Sequence, residues 1–216
     1  MNSPARELDP ARTALLIIDL QNDFLHARGA YARGGLSQPH LAALPAVVAP
    51  LASALREAGG CIAASRFTLW PDAGGQPIVS AHLRRLRPFL AGADFAPASW
   101  GQQMVDVLSP AVDFCVDKVA YSAFLHTQLE WVLRHRGIST VLVSGIVTNG
   151  GVASSARDAF AREFDTVILA DACGAFRRET HQAALADLAS VATVDTCAGA
   201  AARLGLTLAC SPAITP

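Results

Sequence analysis

Residues 140–158 read TVLVSGIVTNGGVASSARD, an apolar run that leads through a pair of glycines into a segment of small residues. The run 140–144 has the length and composition of a buried parallel strand. The segment from about 150 to 160 is predicted to be a helix. Glycines at such a junction let the backbone approach a ligand closely, and the first N–H groups of a helix suit an anion. A tight turn whose glycines serve only packing is the alternative interpretation.

Strand-like and helix-like segments alternate along the chain, which predicts a mainly parallel sheet covered by helices on both faces. The predicted strands are 14–19, 61–67, 113–118, 140–145, 166–170 and 192–196. The predicted helices are at about 40–58, 101–108, 127–136, 150–163, 178–190 and 198–204. Thr127 and Glu130 have the spacing of a capping box, and Gly137 suits the end of the same helix. Residues 68–100 are predicted to form a long loop with a short helix around 78–86.

Composition limits the class of protein. A chain of 216 residues, 52% of them hydrophobic, fits one α/β domain. We place this domain at 12–206, between tails at 1–11 and 207–216. The net charge of −1, with scattered basic residues, argues against a nucleic-acid partner. No apolar run reaches the roughly 18 residues of a membrane span, so no membrane partner is expected. Five dispersed cysteines without a C-x-x-C motif indicate reduced thiols and a cytoplasmic protein.

Three special positions follow predicted strands. Asp19 ends the first, Lys118 ends the third, and Gly151 comes just after the fourth. Ligands of open α/β sheets bind beyond the carboxyl ends of the strands, so these positions are predicted to converge on one pocket. Asp19 directly follows four apolar residues and needs a partner, for which Lys118 is the candidate. A buried ion pair with a purely structural role is the alternative.

The same positions lie in motifs that resemble those of the isochorismatase-like cysteine hydrolases. The matching segments are 16–24 (LIIDLQNDF), 116–124 (VDKVAYSAF), and 148–149 (TN) with 156–159 (ARDA). Their order and spacing fit across about residues 12–200. The resemblance implies a single-domain, Rossmann-like three-layer sandwich with six parallel strands, and a hydrolase that acts on a small molecule without a cofactor.

The resemblance also implies roles for individual residues. Asp19 would be the acid or base and Lys118 the cation of a catalytic triad. A non-proline cis peptide at Ile146–Val147 would turn the N–H groups of Val147 and Gly151 toward one point, forming an oxyanion hole. With Lys118 close, we expect the ionised form of Asp19 to be favoured in the free protein.

The chain departs from the family at the nucleophile, since Gly151 stands at the cysteine position. Isochorismatases proper resemble this chain in that glycine, but usually carry Ala-His where Thr148 and Asn149 stand here. We therefore expect a hydrolase in which Asp19 and Lys118 promote attack by water on a vinyl ether or a C–N bond. Two alternatives stay open: an inactive ligand-binding pseudoenzyme, and an amidohydrolase of small amides or ureides with another nucleophile. Cys173 is the candidate for that nucleophile, although a buried structural thiol is the favoured interpretation.

The remaining expectations concern binding. Seven residues are predicted to bind the substrate: Gln21, Phe24, Arg66, Trp70, Tyr121, Phe124 and Asn149. A surface arginine and a loop tryptophan are the alternatives for Arg66 and Trp70. No catalytic metal is expected, because the segment 65–70 (SRFTLW) lacks the Asp-x-His cluster of nicotinamidase relatives. A homo-oligomer, either a dimer or a tetramer, is expected.

Overall fold

The computed structural model describes residues 7–209, so parts of both predicted tails lie outside the described residues. Within that range six strands form one parallel sheet in the order β3-β2-β1-β4-β5-β6. The strands are β1 Thr13–Ile18, β2 Cys61–Phe67, β3 Phe114–Lys118, β4 Thr140–Ile146, β5 Asp165–Gly174 and β6 Thr193–Asp195. The predicted fold, one parallel six-stranded sheet with helices around it, is confirmed.

The position of the central strand β1 explains why its sequence is almost continuously apolar. It lies between β2 and β4, and all six of its residues are buried. Leu15 and Ile17 pack into the core on one face of the sheet, and Leu16 and Ile18 pack into the core on the other. A strand buried on both faces needs a continuous apolar run instead of alternation.

Helices cover both faces of the sheet. They are α1 Asn22–Leu25, α2 Ala30–Arg33, α3 Pro39–Ala42, α4 Leu44–Glu57, α5 Ala81–Leu86, α6 Leu129–His135, α7 Ala153–Ala161, α8 Arg178–Leu188 and α9 Cys197–Arg203. Helices α4 and α9 contribute to one core, and α6, α7 and α8 to the other. Across residues 7–209, no helix has the length and apolar character needed to cross a membrane.

The predicted helix at 101–108 is wrong, because this segment forms turns. Its backbone carbonyls, and that of the preceding Trp100, bind another part of the chain. The carbonyls of Gln103 and Gly101 accept the N–H groups of Asn22 and Asp23, each at 2.9 Å. The carbonyl of Trp100 accepts Nδ2 of Asn22 at 2.9 Å. Carbonyls committed to these contacts leave no regular helical ladder for the segment to build.

The predicted capping box of α6 is also wrong. Thr127 Oγ1 accepts the N–H of Leu129, two residues on, at 3.2 Å. Glu130 instead binds Arg162 Nε at 2.9 Å, at the end of α7. Gly137 follows α6 with φ 69°, as its predicted place at the helix end requires. Strand β5 is longer than predicted, because pairing with β4 resumes after an irregularity between Val143 and Gly145.

A third, smaller core lies beyond the carboxyl ends of the strands. Its buried members are Ala30, Tyr31, Leu69 and Phe95, and partly buried Phe24, Phe67, Phe89, Leu90 and Phe176 pack against them. Residues 81–90, here called the cap segment, comprise α5 and the turn after it. The N–H of Leu83 donates to Ser80 Oγ at 3.0 Å, which caps the start of α5.

The side chain of Asp23 joins two segments of this third core. Its side chain is buried, with the residue only 3% exposed. Oδ1 accepts the N–H of Ala30 at 3.0 Å, and Oδ2 accepts the N–H of Phe95 at 2.7 Å. One carboxylate therefore fixes both α2 and the chain that follows the cap segment.

We predict that Asp23→Ala lowers the free energy of unfolding by about 3 kcal/mol, because two buried N–H groups lose their acceptor and each costs about 1–3 kcal/mol. Urea denaturation measures this loss. The exposed Asp106 provides the control, and Asp106→Ala is expected to change stability by no more than about 0.5 kcal/mol. Equal effects of the two substitutions would contradict the anchoring role.

Candidate active site

Asp19 is the first residue after β1, and its backbone leaves the strand abruptly. Its φ of 54° lies in the left-handed region, which is uncommon for a residue with a side chain. The N–H of Asp19 still donates to the carbonyl of Ser65 on β2, at 3.1 Å. Residues held in such conformations cluster at functional sites, where the surrounding structure enforces them.

The carboxylate of Asp19 is bound on both oxygens. Oδ1 accepts the hydroxyl of Ser65 at 2.7 Å, and Oδ2 lies 2.7 Å from Nζ of Lys118. Lys118 ends β3, so the ion pair reaches across the intervening strand β2, which supplies Ser65. The ammonium also donates to the carbonyl of Ala120 at 3.0 Å. The two side chains are 6% and 1% exposed, so water screens their attraction little.

Burial raises the pKa of the Asp19 carboxyl, while the positive charge of Lys118 and the hydrogen bond from Ser65 lower it in part. The net direction is upward, because the effect of burial on this pKa exceeds that of Lys118. A carboxyl with a raised pKa gives up and regains a proton closer to neutral pH. The pair therefore suits proton transfer better than a fixed charge would.

The turn after β4 brings Gly151 to the same place. The Ile146–Val147 peptide bond is cis, and residues Thr148–Val152 form a single π-helical turn before α7. At Gly151 a Cβ atom would lie 2.8 Å from Ile18 Cγ2, 3.0 Å from the carbonyl oxygen of Ile146 and 3.5 Å from Asp19 Oδ2. The surroundings are thus fitted to glycine, and the Asp19 carboxyl faces the direction a side chain would take.

A second glycine lets β4 lie close to the end of β1. Gly145 has φ 112°, and a Cβ there would lie 2.1 Å from the carbonyl oxygen of Ile18. No other residue fits that contact without moving the backbone of β1.

Asp19, Lys118 and Gly151 line a cavity of about 100 Å³. Val147, Phe24 and Tyr121, which were also predicted for the site, line it too. The wall is completed by Tyr31, Phe67, Leu83, Leu86, Arg87, Leu90, Ile146 and Phe176. The cavity thus lies between the carboxyl edge of the sheet and the cap segment, as the placement of ligand sites in open α/β sheets leads one to expect.

Five residues predicted to bind the substrate lie outside this wall. Gln21 is buried and joins the backbones of Phe67 and Gln102. Phe124 packs in the core beneath α6 and α7, where its ring is 6.0 Å from that of Phe164. The other three are nearer the surface: Arg66 pairs with Asp117 at 2.7 Å, Trp70 is 52% exposed, and Asn149 lines a separate groove beside α8.

Sequence reasoning missed eight residues of the cavity wall, and the polar or aromatic ones among them include Arg87, Tyr31 and Phe176. A signal was present in the cap segment, where Leu83, Leu86 and Leu90 have the sequence spacing of one helical face and Arg87 follows Leu86 directly. His181 was missed as well. Its Nδ1 lies 2.8 Å from Thr148 Oγ1, so α8 helps to fix the turn that carries Gly151.

The cysteines are poorly placed for nucleophilic attack. Cys173 is buried, contacts the carbonyl of Val143, and lines a different cavity beside His40 and His181. Burial raises the pKa of its thiol, which disfavours the reactive thiolate. Cys115 is exposed on the edge strand β3, Cys61 and Cys197 are buried, and Cys210 lies outside the described residues. The part of the chain from 7 to 209 holds no cluster of three metal-ligating side chains.

Comparisons with solved structures place this architecture among known proteins. A cysteine hydrolase from Pseudomonas syringae pv. phaseolicola 1448A superposes with a TM-score of 0.79 at 26% identity, covering 95% of this chain and 99% of that one. The nicotinamidase PncA from Bacillus subtilis gives a TM-score of 0.68 at 27% identity, with coverages of 85% and 98%.

Sequence comparisons agree. A ureidoacrylate amidohydrolase RutB from Stutzerimonas stutzeri is 36% identical over 186 residues, covering 80% of this chain and 71% of that protein. The protein of the same name from Pseudomonas syringae pv. syringae is 34% identical over 199 residues, with coverages of 83% and 78%. The isochorismatase domain profile matches residues 13–198. The chain therefore belongs to the isochorismatase family of hydrolases.

Proposed function

We propose that this hydrolase cleaves a compact small molecule by direct attack of water, with no covalent intermediate on the enzyme. The observation that carries the proposal is the geometry at Gly151. The Asp19 carboxyl faces the position where a nucleophilic side chain would begin, but glycine supplies none. A water molecule between Asp19 and the substrate would take the place of that side chain.

A C–N bond of an amide or ureide is the substrate bond that this site favours. Two of the similar proteins are named ureidoacrylate amidohydrolases. The cavity of about 100 Å³ has room for a compact substrate, since about 10–15 Å³ of such space is enough to hold one water molecule. The cap segment would have to move outward to admit a larger ring-bearing substrate.

The proposed reaction divides into two proton transfers. Ionised Asp19 removes a proton from water as the water oxygen bonds to the substrate carbonyl carbon. The negative charge that develops on the carbonyl oxygen lies near the N–H groups of Val147 and Gly151. The C–N bond then breaks, and the proton held by Asp19 passes to the leaving nitrogen. Lys118 holds the Asp19 carboxyl in place and supports its ionised form.

Hydrolysis of a vinyl ether is the second candidate. It is favoured by the upward direction of the Asp19 pKa, because that reaction begins with a proton given by the acid. Asp19 would protonate the terminal vinyl carbon, water would add to the carbon that bears the ether oxygen, and the adduct would release the alcohol. An enzyme of this type would turn over isochorismate-like ethers but not ureides.

We predict that Asp19→Asn slows turnover by ~10²–10⁴, the usual contribution of general acid–base catalysis, because the amide cannot exchange the proton. Steady-state kinetics on a panel of small amides, ureides and isochorismate measure the loss. Asp117→Asn, on the exposed end of β3, is the control and should stay within about threefold. Ligand binding with no turnover of any panel member by the parent would establish the pseudoenzyme instead.

We predict that iodoacetamide leaves activity within about twofold of the untreated enzyme, because the residues that line the cavity include no cysteine. Mass spectrometry should find alkylation at the exposed Cys115 before the buried Cys173. If inactivation instead follows the alkylation of Cys173, and if substrate prevents it, then Cys173 is the nucleophile and the water-attack proposal is wrong.

We predict that Lys118→Met destabilises the protein by about 3 kcal/mol near pH 8, because it leaves the buried Asp19 carboxylate without its counter-ion. The substitution removes the charge that lowers the pKa of Asp19, so the folded-state pKa rises further above its unfolded value. Such a group stabilises the fold below the unfolded pKa and loses that contribution as pH rises through the folded pKa. The deficit against the parent should therefore shrink toward pH 5.

Urea denaturation at several pH values from 5 to 8 tests this. The double variant Asp19→Asn/Lys118→Met has no carboxyl at position 19, so it should show no recovery of stability toward acid pH. A deficit of Lys118→Met that is the same across this range would contradict the coupling between the two groups.

A further inference from the structure

Arg87, which follows α5, lies in the cavity wall with much of its hydrogen-bonding capacity unused. Its Nε donates to the hydroxyl of Tyr31 at 3.2 Å, and its Nη1 donates to the carbonyl of Leu86 at 2.9 Å. Within residues 7–209, Nη2 has no protein acceptor and the guanidinium forms no ion pair with a carboxylate. A half-buried arginine without a counter-ion is unusual, because its charge is costly to remove from water.

Aromatic rings hold this guanidinium in one orientation. Its Cζ lies 5.7 Å from the ring centroids of both Tyr31 and Phe176. Those two rings are stacked, with centroids 5.5 Å apart and planes 5° from parallel. Rings at this distance attract a cation and restrict its side chain, so the planar fork of Arg87 is arranged before any ligand arrives.

The charges in the cavity wall do not balance. Its charged residues are Asp19, Lys118 and Arg87. When Asp19 is ionised, Lys118 neutralises it and Arg87 remains as an excess positive charge. When Asp19 is protonated, the excess is larger. In either state the cavity is complementary to an anion.

We propose that Arg87 recognises a carboxylate on the substrate, at a position other than the bond that is broken. Two coplanar N–H donors of a guanidinium match the two oxygens of a carboxylate. Leu83, Leu86 and Leu90 form the neighbouring wall and offer the ligand no polar side chain, which suits a flat acid with an apolar or planar stem. Only the placement of the reactive end at Asp19 rests on the proposed function.

Binding of probes that cannot be hydrolysed tests the proposal without reference to turnover. Levulinate carries a ketone and a carboxylate, and 5-hydroxypentan-2-one replaces the carboxylate with a neutral alcohol. The parent protein should bind levulinate at least about tenfold more tightly in calorimetric or NMR titrations at pH 7, since a charge-assisted hydrogen-bond pair is worth about 10–100-fold. Equal affinity for the two probes, or no binding of levulinate, would overturn the proposal.

Variants assign the preference to one residue. Arg87→Gln should weaken levulinate binding by about 10–100-fold while changing the binding of the alcohol little. Arg85→Gln removes the same charge from an exposed position on α5 and should leave the preference intact. Arg87→Lys, which keeps the charge but not the fork, should fall between them. A preference that survives Arg87→Gln in protein with an unchanged melting temperature would show that another group, such as Lys118, binds the acid.

Failure of the carboxylate site can be distinguished from failure of the proposed function. If Asp19→Asn keeps full turnover while the levulinate preference depends on Arg87, the water-attack mechanism fails and the anion site stands. If Asp19→Asn abolishes turnover while both probes bind equally, the mechanism stands and the anion site fails.

Discussion

The buried ion pair between Asp19 and Lys118 is the contact on which the site depends. It spans three strands, since Lys118 ends β3, Ser65 on β2 lies between, and Asp19 follows β1. Such a pair contributes little net stability, because desolvation of two charges offsets much of their attraction. Its position in the cavity wall instead fits the proposed proton chemistry, which a buried carboxyl with a raised pKa makes possible.

The backbone around the pair is built to bring three chain segments into contact at short range. Gly145 allows β4 to approach the carbonyl of Ile18, and Asp19 takes a left-handed conformation immediately afterward. Gly151 then comes close to Ile18 Cγ2, leaving too little room for a Cβ unless its neighbours move by a few tenths of an ångström. A thiol introduced at 151 would therefore meet a site already packed around glycine. This close packing favours water as the attacking group over a lost nucleophile whose space was left open.

The sequence predicted the cavity residues at the edge of the sheet well and those of the cap segment poorly, for a physical reason. Asp19, Lys118 and Gly151 stand at or just after the carboxyl ends of β1, β3 and β4, and the ends of parallel strands have fixed neighbours once the sheet order is known. The cap segment has no such constraint. Its path depends on long-range contacts such as that of Asp23 with the N–H of Phe95, which no local pattern reveals. Arg66 and Trp70 lie close in sequence to the end of β2, and that proximity alone predicts them for the site. Arg87 lies 20 residues beyond β2 and still reaches the cavity.

Aromatic contacts link the sheet side of the cavity to the cap segment. Phe24 and Tyr31 follow Asp19 closely in the chain, and both contact Phe95, with ring centroids 4.6 Å and 6.1 Å away. Tyr31 in turn binds Arg87 through its hydroxyl and stacks on Phe176 beyond β5. Aromatic contacts thus set the position of Arg87 relative to Asp19 when the cap segment lies inward, as it does here. With the cap segment in this position, and with the proposed roles of Asp19 and Arg87, the cavity would select substrates by the distance between their carboxylate and their reactive bond.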